Sequence, residues 1–81
     1  MSWRIRFTTR AARDVDDLAD SDRRVILAAV RAFAGGAVAD VKKLKGRPDY
    51  RLRVGRFRVL YTLTNGDLLV LRVLDRKDAY R

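Results

Sequence analysis

Arginines alternate with apolar residues over positions 50–61, and this spacing could assemble a binding site for a phosphate group. Successive side chains of a β-strand point to opposite faces, so the pattern places Arg51, Arg53 and Arg58 on one face of a sheet. If a two-residue turn begins at Gly55, Arg53 lies directly opposite Arg58, and like charges in such a pair are destabilising. A sheet face of this kind favours an anionic ligand, for which a nucleic-acid backbone is the best candidate.

The net charge is strongly positive and unevenly distributed. The chain of 81 residues carries 19 Lys and Arg against 10 acidic residues, a formal net charge of +9. Residues 1–41 contain seven basic and six acidic side chains, a net of +1, whereas residues 42–81 contain twelve and four, a net of +8. This asymmetry is typical of a protein with an acidic partner, and a simple contribution to solubility is the alternative explanation.

The composition excludes several kinds of site. The sequence contains no His and no Cys, which rules out disulfides, thiolate chemistry, His-based acid–base catalysis and metal sites built on those ligands. We therefore expect no cofactor and no metal. Because no apolar run approaches the roughly 20 residues of a membrane helix, we expect a soluble, cytoplasmic protein with a single domain over residues 1–81.

The first half of the chain predicts a strand followed by two helices. Apolar residues alternate with arginines over residues 3–7, as in a half-buried strand, and Trp3 is expected to pack in the core. A first helix follows over about residues 9–19, and a second, capped by Ser21, is stopped by the glycine pair at 35–36. Because few residues join the helices, they should form an antiparallel hairpin.

The second half predicts a connector over residues 37–49 and then three strands. The strands are expected at about 50–54, 57–64 and 68–74. The order β-α-α-β-β-β indicates an α+β domain, in which an antiparallel sheet packs one face against the N-terminal helical hairpin. The opposite face would carry the arginines and several leucines, a surface that a partner could cover.

The turn between the last two strands sets their register. Asn65-Gly66 is a strong signal for a two-residue hairpin turn, and counting from it places Leu60 opposite Leu71 and Arg58 opposite Val73. The same count puts Leu74 on the helix-facing side of the sheet.

Four arginines and a tyrosine are the candidate catalytic residues: Arg51, Arg53, Arg58, Arg76 and Tyr80. Guanidinium groups converging on one phosphodiester would stabilise the added negative charge of a five-coordinate transition state, but arginine is a poor general base. Tyr80 could accept a proton if nearby cations lower its pKa from about 10, and Asp75 and Asp78 are the other candidates. RNA suits this set because its own 2′-hydroxyl can attack the phosphate.

Two further groups of charged residues flank these candidates. Lys42, Lys43, Lys45 and Arg47 precede the hairpin. They are candidate RNA contacts, and a solvated loop is an equally good interpretation. Asp75 is expected to lie opposite Arg56, where a structural ion pair is the favoured interpretation.

The chain resembles the RelE/ParE superfamily of toxins from toxin–antitoxin systems. The matching segments are Lys42–Gly46, Asp49–Gly55, Phe57–Tyr61 and Asp75–Tyr80. The element order and the chain length also match, so the likeness spans essentially the whole sequence. The family implies the same β-α-α-β-β-β fold.

The resemblance, with the RelE branch favoured, implies a function and a partner. Members of that branch cleave mRNA in the ribosomal A site without a metal, and a cognate antitoxin blocks them. The resemblance implies that the family's basic strand residues correspond by position to Arg51, Arg53 and Arg58. The arginine and tyrosine of its C-terminal motif correspond to Arg76 and Tyr80. The expected partners are mRNA on the ribosome and an acidic antitoxin protein, with no membrane involved.

This chain departs from some relatives at the expected site. Some members have lysines at the positions of Arg51 and Arg53, and others have a histidine where Asp75 stands.

Two alternative functions are a ParE-type inhibitor of DNA gyrase and a non-catalytic basic module that binds RNA or the antitoxin.

Overall fold

The computed structural model describes residues 2–77, which form a five-stranded mixed sheet and two helices. In chain order the elements are β1 (Arg4–Phe7), α1 (Thr9–Asp16), α2 (Asp20–Ala34), β2 (Val41–Lys43), β3 (Tyr50–Val54), β4 (Phe57–Thr64) and β5 (Asp67–Asp75). The strands lie across the sheet in the order β1-β5-β4-β3-β2. This architecture confirms the predicted α+β class and the helical hairpin.

The two helices begin differently. The Thr8 side chain caps α1, since its Oγ1 accepts a hydrogen bond from the amide of Ala11 at 3.0 Å. Helix α2 begins after Ala19 without a side-chain cap, so the prediction of a Ser21 cap is wrong. Its first turn instead carries Asp20, whose negative charge suits the positive end of the helix dipole. Within residues 2–77, neither helix is long and apolar enough to cross a membrane.

The sheet contains two pairings that the sequence pattern does not reveal. Strand β1 runs parallel to β5, with Ile5 opposite Leu68, so the sheet is mixed rather than wholly antiparallel. Part of the predicted connector forms β2, which pairs antiparallel with β3 and sets Val41 opposite Leu52. A three-residue strand is too short to show alternation, and periodicity does not specify which strand lies beside which.

The core lies between the helices and one face of the sheet. Its buried apolar residues are Ala11, Val15, Ile26, Val30, Ala34, Leu52, Val54, Phe57, Val59, Tyr61, Leu68, Val70 and Val73. Trp3 packs against this cluster, as predicted. Tyr61 stacks on Tyr50 and meets Phe33 edge-on, with 5.4 Å between ring centroids in both pairs. Burial raises the pKa of Tyr61 to about 12, so this tyrosine is a structural residue.

The β4–β5 ladder contains a bulge that changes which side chains reach the site. The register is as predicted near the turn, but it shifts by one residue after Tyr61, which pairs with Val70. Leu60, which precedes Tyr61 in β4, pairs with Arg72. Leu71 is therefore an extra residue in β5.

The bulge corrects the predicted faces of β5. Arg58 lies opposite Leu74 and not opposite Val73. Val73 is consequently a core residue, 5% exposed, whereas Leu74 lies on the arginine-bearing side. The prediction that Leu74 faces the helices is wrong, because counting from the turn cannot register an inserted residue.

Candidate functional site

The tip of the β3–β4 hairpin and the end of β5 form a small basic cavity. Arg53 and Arg58 are direct cross-strand partners, as the alternation predicts. The cavity has a volume of about 120 Å³ and is lined by Arg53, Gly55, Arg56, Phe57, Arg58 and Arg76. We call it the arginine cavity. Planar guanidinium groups match phosphate oxygens in charge and in hydrogen-bond geometry, so an anion of this type is the ligand the cavity suits.

Local backbone features bring Arg53, Arg58 and Arg76 together. Gly55 has a φ of 57°, a left-handed conformation that favours glycine and that closes the tight turn between Arg53 and Arg58. The amide of Arg76 donates a hydrogen bond to the carbonyl of Arg56 at 2.7 Å. This bond continues the strand pairing one residue past β5 and holds the start of the tail beside the hairpin.

Asp40, which no sequence pattern singled out, contacts two of the predicted site residues. Its carboxylate lies 3.5 Å from Nη2 of Arg51 and 3.8 Å from Nε of Arg53. The carbonyl of Asp40 also accepts a hydrogen bond from the amide of Arg53 at 2.9 Å. Two arginines of this sheet face are thus paired with one aspartate. Asp40 directly precedes β2. Because the sequence pattern did not show that strand, it gave no sign of Asp40 either.

A second cavity adjoins the first and shares Arg58 with it. Its volume is about 190 Å³, and it is lined by Leu44, Arg47, Arg51, Arg58, Leu60 and Leu74. We call it the leucine cavity. Leu44 and Leu74 were not predicted as site residues, since one lies in the connector and the other depends on the bulge. Leu60 was placed on the arginine-bearing face by its spacing from Arg58.

Only some of the predicted basic residues before the hairpin lie on the same side of the sheet as the site. Lys42 pairs with Arg51 across β2 and β3 and therefore shares its face of the sheet. Lys43 pairs with Tyr50 and so points to the opposite face. Lys45 is exposed in the turn that follows β2.

Arg47 lies in the same connector and lines the leucine cavity. Its Nη2 forms a short ion pair with the carboxylate of Asp49, a largely buried residue. The amide of Leu44 donates to the carbonyl of Asp49 at 2.9 Å, which closes the connector into a turn. Arg47 is therefore held at the edge of the cavity by its own neighbour.

The candidates for proton transfer have different environments. Arg56 Nε donates to Oδ2 of Asp75 at 3.0 Å, which confirms the predicted ion pair. Burial would raise the pKa of Asp75, but the hydrogen bond from the Lys77 amide and the charge of Arg56 outweigh it and lower that pKa. Asp75 is thus a weak proton acceptor near neutral pH. Asp78 and Tyr80 lie outside the described residues.

Comparisons with known proteins identify the family. The family model of the ParE toxin of type II toxin–antitoxin system, parDE, matches residues 5–80. The solved toxin–antitoxin complex RelBE2 of Mycobacterium tuberculosis is 30% identical, with a TM-score of 0.66 and coverage of 94% of this chain and 100% of that chain. The RelB-RelE antitoxin–toxin complex of Methanococcus jannaschii is 25% identical, with a TM-score of 0.73 and coverage of 93% and 94%.

A third structure supports the fold. The archaeal RelE-RelB complex of Pyrococcus horikoshii OT3 has a TM-score of 0.78 at 24% identity, and the match covers 94% of this chain and 97% of that chain. The family match spans nearly the whole sequence, and the described architecture agrees with it. The resemblance noted in the sequence is therefore confirmed: the chain belongs to the RelE/ParE superfamily of toxins from type II toxin–antitoxin systems.

Proposed function

We propose that this toxin is a metal-independent endoribonuclease that cuts ribosome-bound mRNA and thereby inhibits translation. The observation that carries the proposal is the convergence of Arg53, Arg58 and Arg76 on the arginine cavity. Fixed positive charges in such a place stabilise the phosphate most strongly when its negative charge increases in the transition state. Arg51 would bind the RNA backbone from the neighbouring cavity, with Asp40 orienting its guanidinium group.

In the proposed reaction, RNA supplies its own nucleophile. The 2′-oxygen of a ribose bonds to the adjacent phosphorus while the bond from phosphorus to the 5′-oxygen breaks. The 2′-hydroxyl loses its proton to a base, and the departing 5′-oxygen gains a proton. The products are a 2′,3′-cyclic phosphate and a 5′-hydroxyl, so neither a redox step nor a second substrate is needed.

Tyr80 is our candidate for proton transfer or for stacking on a base. Arginines cannot accept a proton at neutral pH, and the ion pair with Arg56 makes Asp75 a weak base. The exposed Lys42 and Lys45 would contact flanking phosphates, whereas Lys43 points to the opposite face of the sheet and Arg47 would bind at the leucine cavity.

The test compares cleavage by wild-type protein and Arg58 variants on ribosome-bound mRNA in EDTA. Loss of a preorganised charged donor lowers a rate by about 10²–10³-fold, so Arg58→Ala should nearly abolish cleavage, with partial rescue in Arg58→Lys. Arg24→Ala is the matched control, because Arg24 is an exposed arginine of α2, away from the cavity. Intact message at high concentrations of folded toxin would overturn the proposal.

A second candidate function is inhibition of DNA gyrase, and the match to the ParE toxin family model favours it. This activity needs the fold but no phosphate-cleaving cluster. Gyrase-dependent DNA breaks together with undamaged mRNA would support it. If the protein is instead a non-catalytic basic module, the wild-type protein would cut no message. Arg58→Ala would then weaken RNA binding by only about 1–3 kcal/mol.

We further propose that an acidic antitoxin covers the arginine-bearing sheet face. The chain carries a net charge of +9, and Leu60, Leu69 and Leu71 remain partly exposed around the arginines. The related RelBE2 protein was solved as a toxin–antitoxin complex. The product of a short acidic reading frame beside this gene should bind the toxin and relieve its growth inhibition. A toxin that neither slows growth nor binds that product would contradict this assignment.

A further inference from the structure

The leucine cavity has a chemistry that phosphate binding does not use. Three leucines contribute apolar surface to it, and three arginines contribute donors. Its volume of about 190 Å³ exceeds the roughly 150 Å³ of an engineered apolar cavity that holds benzene. The cavity is therefore large enough for a six-membered ring. Its arginines favour a ring whose edge carries hydrogen-bond acceptors.

One donor at this cavity is unsatisfied. Within residues 2–77, Nε of Arg51 is buried and has no hydrogen-bond partner. The Arg51 side chain is only 13% exposed, and its Nη2 is held loosely by Asp40 at 3.5 Å. Burial of an unpaired donor is unfavourable, so a ligand that brings an oxygen to this guanidinium group gains a hydrogen bond that the protein alone does not make.

The two cavities are adjacent, because Arg58 lines both. A phosphate in the arginine cavity would thus carry its ribose and base toward the leucine cavity. A pyrimidine base meets each requirement: it has a flat six-membered ring, and uracil and cytosine both carry ring carbonyl oxygens. Adenine has no carbonyl, and any purine is larger.

We propose that the leucine cavity binds the pyrimidine base of the nucleotide next to the phosphate in the arginine cavity. The leucines contact the ring, and Nε of Arg51 donates to a ring carbonyl. This assignment rests on the proposed function, since it requires RNA at the neighbouring cavity. It makes Arg51 and Leu60 determinants of base preference.

The experiment measures binding without cleavage. Fluorescence anisotropy is recorded with hexamers of deoxyuridine, deoxyadenosine and an abasic deoxyribose, which all carry the same phosphates and lack the 2′-hydroxyl. Wild-type protein should bind the deoxyuridine hexamer about tenfold more tightly than either of the others, as expected for one added hydrogen bond from a charged donor.

Variants separate the base from the backbone. Arg51→Lys keeps the positive charge but removes the Nε–H donor, and Leu60→Ala removes apolar contact. Each should bind the deoxyuridine and abasic hexamers with equal affinity, and Leu60→Ala should bind the abasic hexamer as the wild type does, since only Arg51 has a proposed contact with the backbone. Leu69→Ala is the matched control, because Leu69 lies on the same sheet face outside the cavity and should keep the preference.

The outcomes distinguish this proposal from the one on which it depends. Failure of all three hexamers to bind would overturn phosphate-backbone binding at the arginine cavity and the base site together. Equal binding of the three hexamers would overturn the base site alone. The base site is also wrong if Leu60→Ala weakens binding of the acidic antitoxin but leaves the deoxyuridine preference unchanged, since the cavity would then hold a side chain of a protein partner. If Leu60→Ala does not fold, Arg51→Lys decides the question.

Discussion

At the scale of single residues, Asp14 takes the place of a missing strand partner. Pairing between β1 and β5 ends at Val70, so within residues 2–77 the next part of β5 has no strand on that side. There the carboxylate of Asp14 accepts hydrogen bonds from the amide of Val73 at 2.9 Å and from Nε of Arg72 at 2.8 Å. The bonds attach α1 to the strand that leads to the arginine cavity.

This carboxylate makes the stability of the fold dependent on pH. Burial would raise the pKa of Asp14, but the hydrogen bonds from Arg72 and Val73 outweigh it and lower that pKa. The unfolded value is about 3.9. A lowered folded-state pKa means that ionised Asp14 stabilises the fold above this value, and the contribution disappears as the pH falls through the folded-state pKa.

We expect Asp14→Asn to reduce the free energy of unfolding at pH 7, because the substitution removes the ion pair with Arg72. The difference from wild type should be smaller at pH 3, which lies below the unfolded value of about 3.9, because the stabilisation by ionised Asp14 begins to decrease there. Urea unfolding at both pH values measures this. Asp17→Asn, an exposed change at the end of the same helix, serves as the control. A deficit for Asp14→Asn that is equal at both pH values would contradict the assignment.

Residues that act through local spacing were predictable, and those that act through distant contacts were not. The pairing of Arg53 with Arg58 follows from strand alternation and one glycine turn, all within six residues. Asp40 and Leu44 reach the site only because β2 forms beside β3. Their roles depend on tertiary contacts, which a residue pattern in a connector does not encode.

At the scale of elements, the bulge at Leu71 is the feature that most changes the predicted site. Residues 68–71 are all apolar, so neither side of β5 is marked by polarity and the inserted residue leaves no signal. The Thr8 hydroxyl donates to the carbonyl of Leu71 at 3.1 Å, which shows how the neighbouring helix start supports the irregular strand. Strand existence was therefore predictable, but the faces of its second half were not.

Deleting Leu71 should preserve the fold and impair the site. Without it, Val70 and Val73 are two positions apart and both still face the core. A bulge increases strand twist and bends the strand beyond it, so its loss should move Arg76 away from Arg53. Thermal unfolding should remain cooperative, whereas anisotropy should show weaker binding of the deoxyuridine hexamer. Leu71→Ala keeps the bulge and should bind normally. A deletion variant that binds as tightly as wild type would show that the bulge does not set the site.

At the scale of the whole molecule, the net positive charge belongs to the second half of the chain, since residues 42–81 carry +8 of the total of +9. Five of the 10 acidic residues lie between positions 14 and 22, in or between the two helices. Arg53 and Arg58 lie on the hairpin, on the sheet face that points away from the helices, and Arg76 follows β5 beside them. An approaching polyanion is thus attracted mainly to the strands of the second half, because the five arginines of the helices balance these five aspartates.

This separation predicts how RNA affinity depends on salt. Each phosphate of a single strand that the protein neutralises contributes a slope of about −0.7 to log K against log salt, so the phosphate in the arginine cavity should account for about −0.7 of the total and the phosphates at the flanking lysines for the rest. Anisotropy titrations of the deoxyuridine hexamer at increasing KCl measure this slope. Arg53→Gln should make it shallower by up to about 0.7, whereas Arg24→Gln, with the same change in net charge on exposed α2, should leave it nearly unchanged. Equal effects of the two substitutions would mean that net charge alone attracts the nucleic acid, and the arginine cavity would then have no special part in binding it.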